Sequence, residues 1–326
     1  MPVTLADVAD ACGLSASTVS RALSDPDKVH PRTRDRIRAV AERLGYVPNH
    51  LARSLASGRT GILGLIVPDI ANPFFPPLVK AVQARAGGHG CQVLLADTDE
   101  YAGDEIGRAR SMGRRIDGLI LASPRSPDAD LRRLRDATAV PVVMVNRDVE
   151  DFPCVLVDEA EGMTQAVRHL TALGHTHLGY LAGPRRSWSN TQRSAAVAAA
   201  CERYGAKLVE FGPFEPQIQA GVQAADLVLA STATAVIAYD DLIALGAMAR
   251  FAERGVRVGS DVSVVGVDDS PMSELAHPTL TSIQVPSRDL GSAAIDLLLE
   301  QLGGAEQRRL TLETRLVVRA STGPVP

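Results

Sequence analysis

Two acidic pairs, Asp240–Asp241 and Asp268–Asp269, and seven histidines are the side chains of this sequence whose types could carry catalysis. Paired carboxylates serve acid–base chemistry, or hold a divalent cation, when their side chains converge. Here each pair is adjacent in sequence, so the two side chains need not converge. The histidines show no HxxxH or HExxH spacing, and there is no GxxxxGK[ST] phosphate loop and no GxSxG elbow. "GGHGC" precedes an apolar run instead of opening a helix, so it is not a dinucleotide fingerprint. The expectation is a protein that is not an enzyme, with no cofactor and no metal.

Binding chemistry is better supplied. Ala16, Ser17, Ser20 and Arg21 are small or polar groups plus one arginine, not the Glu/Lys mixture of an idle helix surface. Far from them, the chain has twelve Phe, Tyr and Trp residues in all. Four of these, Phe74, Phe75, Trp188 and Phe214, fall in loops that follow apolar runs. Rings in such places stack on a flat ligand or on the apolar face of a sugar. The alternative is that they plug gaps between subdomains.

The elements that must position these groups are legible from periodicity. In "TLADVADACGLSASTVSRALSD", Thr4 is a good N-cap with Asp7 three residues on, a near capping box. Leu5, Val8, Ala9 and Cys12 form the apolar stripe of one helix, and Gly13 ends it. Ser15 caps a second helix whose Val19, Ala22 and Leu23 face inward. Pro31 opens a third, with Ile37, Val40, Ala41 and Leu44 at helical spacing. Three helices with a tight turn are the layout of a helix-turn-helix DNA reader; a small bundle with no such role has the same caps. "NHLARSLASGRT", residues 49–60, follows Pro48 and allows fewer than three turns, too few for a helix stable alone. Yet Leu51 and Leu55 share one face. Either the chain's own body covers them or something outside the chain does.

From Gly61 the pattern changes. "GILGLIVP", "CQVLLAD", "GLILAS", "VPVVMVNR", "HLGYLAG", "AKLVEF", "AVIAYD" and "SVVGVDD" alternate with helical stretches. Short runs rich in Val, Ile and Leu are strands buried on both faces, and their alternation with helices predicts doubly wound parallel sheets. Two sets, before and after about Asp158, predict two α/β subdomains. Ligands of such sheets bind beyond the carboxyl ends of the strands. Those ends carry "DIANPFF", Arg147, "RRSWSNTQR", "FGPFEP", "YDD" and "GVDDS". Asp240 and Asp241 also precede a helix: Asp241 is the expected cap, and Asp240 is open between cap and ligand contact.

Length and charge set the bounds. At 326 residues the chain suits two or three domains, and no apolar run spans a bilayer. The N-terminal stretch lacks the basic and apolar regions of a signal peptide. Four cysteines lie far apart without a CxxC pair, as in a reduced, cytoplasmic protein. Residues 1–60 hold nine Lys/Arg against six Asp/Glu, a net of +3, which leaves −7 for the remainder. A basic head on an acidic body suits contact with a polyanion.

"TLADVADACGLSASTVSRALSD", "RDRIRAVAERLGYVPNHLARSLASGRTGILGLIVPD" and "DVSVVGVDDS" together resemble the lactose-repressor (LacI/GalR) family of bacterial transcription regulators, from Val3 to about Gly323. The resemblance implies an α/β chain with a three-helix helix-turn-helix head (1–47) and a hinge helix or linker (48–60). An effector-binding and dimerisation body (61–326) would follow, a periplasmic-binding-protein-like clamshell of two doubly wound parallel-sheet subdomains. One subdomain would hold about 61–157 and 285–311, the other about 158–284 and 312–326. It further implies a homodimer on a pseudo-palindromic double-stranded operator, in the cytoplasm at the bacterial nucleoid and without a membrane partner. Arg21 would make the main base contact, with little hydrogen bonding from Ala16 and Ser17; Thr4, Ser15, Thr33 and Asn49 would hold phosphates, and Ser20 and Lys28 would also contact the DNA. Leu55, with Ala52 one turn earlier, would wedge into the minor groove. Phe74, Trp188, Ser189, Arg193, Phe214, Asp240 and Asp268 match effector-contacting positions of the family, and with Phe75 and Arg147, which the strand-end pattern adds, they would contact a small effector, a sugar or a nucleoside. Val285 replaces a glutamine that some relatives carry. The function implied is a repressor released by its effector. A co-repressor-dependent or activating regulator would have the same sites, and a solute-binding protein would share only the body.

Overall fold

The structure, a computed structural model, describes residues 3–24, 28–46 and 59–325. Contact density divides the chain into two compact units, Met1–Thr60 and Gly61–Pro326. The hinge segment, with Asn49, Ala52 and Leu55, lies outside the described residues.

Among the described residues of the first unit three helices form: α1 (Leu5–Cys12), α2 (Ala16–Ser24) and α3 (Pro31–Leu44). The capping box at Thr4 is complete. Thr4 Oγ1 accepts from the Asp7 amide, and Asp7 Oδ2 accepts from the Thr4 amide at 2.7 Å. Gly13 ends α1 in the left-handed region at φ 64°, where a β-carbon is disfavoured. The Ser15 hydroxyl accepts from the Thr18 amide at 3.2 Å and so caps α2. Val8, Ala9, Cys12, Val19, Ala22, Ile37, Val40 and Ala41 make one small core.

The second unit holds two six-stranded sheets. Sheet one is built from β1 (Ile62–Val67), β2 (Gln92–Asp97), β3 (Gly118–Ala122), β4 (Val142–Val145), β5 (Cys154–Val157) and β11 (Arg309–Leu312), in the order β11-β5-β4-β3-β1-β2. Sheet two is built from β6 (His177–Leu181), β7 (Lys207–Phe211), β8 (Ala235–Ala238), β9 (Ser263–Asp268), β10 (Thr281–Gln284) and β12 (Arg315–Val317), in the order β12-β10-β9-β8-β6-β7. All pairings are parallel except β10 with β12. The eight apolar runs of the sequence form the eight longer or central strands. The helices between strands are α4 (Phe75–Gly88), α5 (Ala102–Gly113), α6 (Asp128–Ala137), α7 (Glu159–Ala172), α8 (Trp188–Tyr204), α9 (Ile218–Leu229), α10 (Asp241–Glu253), α11 (Pro271–Leu275) and α12 (Ser287–Leu302). No helix among the described residues is long and apolar enough to cross a membrane.

The chain passes between the sheets three times, after β5, after β10 and after β11, and the passages are tied together. The Thr314 hydroxyl donates to the Asp158 carbonyl at 2.6 Å and accepts from the Gly162 amide at 3.1 Å. Asp158 itself caps α7 through the Ala160 and Glu161 amides. Gln284 donates to Asp269 at 2.9 Å and accepts from Arg315 at 2.8 Å. These bonds fix where the two sheets face each other, and hence the cleft between their carboxyl ends.

Helices α9 and α10 touch backbone to backbone. A β-carbon on Gly246 would collide with the Ile218 carbonyl, and one on Gly221 with the Ile243 carbonyl. Backbone cannot yield as a side-chain tip can, so Gly246→Ala should cost about 1–3 kcal/mol or more. The check is a urea titration of the purified protein. A lower midpoint at constant slope is expected, and an unchanged midpoint would contradict this contact.

Candidate DNA-reading face and ligand cleft

On the head, Ala16, Ser17, Ser20 and Arg21 lie exposed on α2, as do Ser15 just before it and Lys28 beyond it. The hydroxyls of Ser15 and Ser17 sit 2.9 Å apart and share one hydrogen bond. Thr33 is half-buried in the first turn of α3, and Thr4 is exposed at the start of α1. Arg21 is therefore the one long, charged, multidentate donor on the outer face of α2.

In the body, several strands end in a residue with a left-handed backbone: Ser123 after β3 (φ 47°), Asn146 after β4 (φ 50°), and Asp268 with Asp269 at the end of β9 (φ 106° and 54°). Such backbone costs roughly 1–3 kcal/mol at a non-glycine residue and persists only where the surroundings impose it. Here it turns each strand end toward the other sheet. Asn72, Phe74, Phe75, Ser123, Arg125 and Asn146 from the first sheet's side meet Ser189, Arg193, Tyr239, Asp240 and Asp268 from the second. The cavity they enclose measures about 20 Å³, room for about one water.

Charge dominates this cleft. Arg193, 3% exposed, donates from Nε to Glu159 at 2.8 Å and from Nη1 to the Tyr239 carbonyl at 2.6 Å. Its guanidinium stacks 5.0 Å from the centre of the Tyr239 ring. Opposite it, Arg125 makes a two-point contact with Glu100, at 2.7 and 2.9 Å, and a third to the Ser123 carbonyl. Burial works against both cations. Glu100 holds Arg125 charged, and Glu159 with Asp268 holds Arg193 charged, so both remain more basic than an exposed arginine.

The carboxylates behave in the opposite sense. Burial raises Asp268 well above the ordinary range, with Arg193 opposing and Asp241 and Asp240 adding. Burial also pushes Asp240 up to about 7, partly offset by the Ile243 amide. Asp240 is the N-cap of α10, accepting from that amide at 2.9 Å, and it accepts from Asn72 of the other subdomain at 3.3 Å. Asp241 is not the cap. Its buried carboxylate accepts from the Ser270 amide and the Ser273 and Ser282 hydroxyls, each at 2.7 Å. The paired acids thus diverge, as their adjacency implied.

Of the nine residues that the sequence suggested for an effector, the structure brings together Phe74, Phe75, Ser189, Arg193, Asp240 and Asp268. It does not bring three others to the cavity. Trp188 packs on the core between α5, α6 and the first sheet. The Arg147 guanidinium is turned to Asp128 at 2.6 Å. Phe214 packs on the core beside α10. Asn72, Ser123, Arg125, Asn146 and Tyr239 line the cavity although sequence reasoning passed over them. All five stand within a few residues of a strand's carboxyl end, the one signal that could have found them.

A helix-turn-helix head joined to a two-sheet body with a polar cleft at its strand ends defines a ligand-responsive DNA-binding regulator. The comparisons agree. The family described as bacterial regulatory proteins, lacI family, matches residues 4–49, and the periplasmic binding protein-like domain matches residues 167–322. The HTH-type transcriptional repressor CytR of Escherichia coli (strain K12) is 32% identical over 99% of this chain and 97% of its own. Among solved structures, a lac repressor dimer bound to operator and the anti-inducer ONPF superposes with a TM-score of 0.87 at 30% identity, over 99% of this chain and 100% of that one. A transcriptional regulator CelR–cellobiose complex gives 0.73 at 32% identity, over 98% and 99%. The chain belongs to the lacI family of bacterial regulatory proteins, and it is a transcriptional regulator rather than an enzyme.

The raised Asp240 carboxyl has a pH signature. A carboxyl that binds its proton more tightly folded than unfolded contributes stability that is full below its ordinary value of 3.8 and lost as pH rises through about 7. Asp240→Asn keeps an N-capping side chain and should flatten the decline in body stability between about pH 4 and pH 7. Urea midpoints across that range decide it; a slope identical to wild type would contradict an uncharged Asp240 near neutrality.

Proposed function

We propose that this regulator is a homodimeric repressor at the bacterial chromosome in the cytoplasm. It reads a pseudo-palindromic operator through α2 and is released when a small polyhydroxylated ligand, a sugar or a nucleoside, enters the cleft. The observation that carries the reading is the opposition, across one cavity, of Arg125 and Asn146 on one subdomain to Arg193, Asp240 and Asp268 on the other. Guanidinium forks and carboxyl groups each bind vicinal hydroxyls bidentately, and Phe74 and Phe75 supply an edge-to-face aromatic wall, their centroids 5.0 Å apart. The similar CelR structure holds cellobiose, and the similar lac repressor structure is a dimer on its operator. Both support the same roles here.

A cavity of about 20 Å³ is far below the roughly 300 Å³ at which small-molecule sites begin. Ligand entry therefore requires the two sheets to separate, and that separation is the step coupled to DNA. Coupling of this kind is typically about 1–3 kcal/mol, or 5- to 150-fold in operator affinity.

Two measurements test the reading. A thermal-shift panel of monosaccharides, disaccharides, polyols and nucleosides should yield a ligand that stabilises the wild type, fails with Asp268→Ala, and weakens operator binding. A panel without any such ligand, or a hit that stabilises Asp268→Ala equally, would overturn the effector assignment. On the head, Arg21→Ala should lose about 1–3 kcal/mol of discrimination at one base pair per half-site. An equal loss on operator and random DNA would make Arg21 a phosphate contact.

A further inference from the structure

Outside the central cavity, a second and larger concavity opens where α5 and the start of α6 face the loop before α8. It measures about 420 Å³ and is lined by Arg110 and Arg133 of the first subdomain, Arg186 of the second, and Asp130. We infer that this groove is an anion site for the phosphate group of a small phosphorylated metabolite, separate from the effector cleft.

Charge is the first support. Asp130 is taken up by Arg133 at 3.1 Å. The other acids at this edge are also engaged: Asp104 pairs with Arg108, Asp128 with Arg147, and Glu105 accepts the Arg125 and Ser126 amides. Arg110 and Arg186 have no ion pair among the described residues and are exposed, so the groove keeps two uncompensated guanidinium groups in an acidic protein. Two such forks match the two charges of a phosphomonoester, which a single carboxylate cannot satisfy.

Size is the second support. The volume of this half-open groove falls in the range of small-molecule sites, roughly 300–1,000 Å³. Position gives the consequence. Because Arg186 belongs to one subdomain and Arg110 to the other, an anion held by both would bridge the cleft mouth and favour its closed form. A phosphorylated metabolite would then act on the same opening step as the central ligand, but from outside it.

The test uses the full-length protein with inorganic phosphate and glycerol 3-phosphate as probes, against sodium chloride at equal ionic strength. Both probes should give a saturable rise in melting temperature. Arg110→Gln and Arg186→Gln should each weaken binding about tenfold, the effect of losing one charge-assisted hydrogen bond. Arg114→Gln, an exposed arginine outside the groove, and Asp268→Asn in the central cleft should leave it unchanged. Four results would overturn the proposal: no saturable effect beyond the chloride control; equal weakening by Arg114→Gln, which marks general charge; loss with Asp268→Asn, which places the anion in the cleft; and binding of an acidic peptide but of neither probe. Circular dichroism confirms that each variant is folded.

Discussion

The ion pair between Arg193 and Glu159 sets the polar floor of the cleft. Both partners are almost fully buried, and each is placed by a different constraint. Glu159 is the first residue of α7, immediately after the chain leaves the first sheet, so its position is set by that passage. Arg193 lies in the second turn of α8 and reaches the floor of the cleft, where the Tyr239 carbonyl and ring take its remaining edge and face. A buried pair of this kind gives little net stability, yet removing one partner typically costs about 3–5 kcal/mol. The pair fixes the guanidinium's orientation, and with it the face offered to a ligand. It also supplies the positive charge against which Asp268 and Asp240 are set.

That arrangement works against stability. Left-handed backbone at four strand-end residues, two buried arginines and a set of carboxyls displaced upward are all unfavourable in a folded core. The apolar sheets beneath, and the hydrogen bonds of Thr314 and Gln284 across the passages, offset them. Apolar layers thus carry a strained, polar rim. A ligand that satisfies both rims at once shifts the equilibrium between two arrangements in proportion to its difference in affinity for them.

Much of the architecture was legible in the sequence because buried parallel strands and capped helices write strong local patterns. Thr4 with Asp7, Gly13 and the eight apolar runs each declared an element. Strands β5, β10, β11 and β12 did not, because three or four residues at a sheet crossing carry no period. The site was legible only where chemistry and position coincided, as at Arg193 and Asp268. Trp188 stays ambiguous in the sequence because a lone aromatic after a strand looks the same whether it faces a ligand or packs on a core. Arg125 was missed for the opposite reason: its role depends on Glu100, which lies on a different loop and whose own backbone is left-handed at φ 58°. Asp240, not the expected Asp241, caps α10, because a cap is set by one residue of helical phase, which sequence alone leaves ambiguous.

Trp188 now provides the most direct probe. It is the only tryptophan in the chain, it begins α8 of the second subdomain, and its ring packs against the core of the first. Separation of the subdomains must change its surroundings. The central claim is that cleft opening couples ligand to operator, so Trp188 emission should change saturably as a cleft ligand is titrated, with the same midpoint as loss of operator binding. Operator release with Trp188 emission unchanged, or with a clearly different midpoint, would contradict that claim.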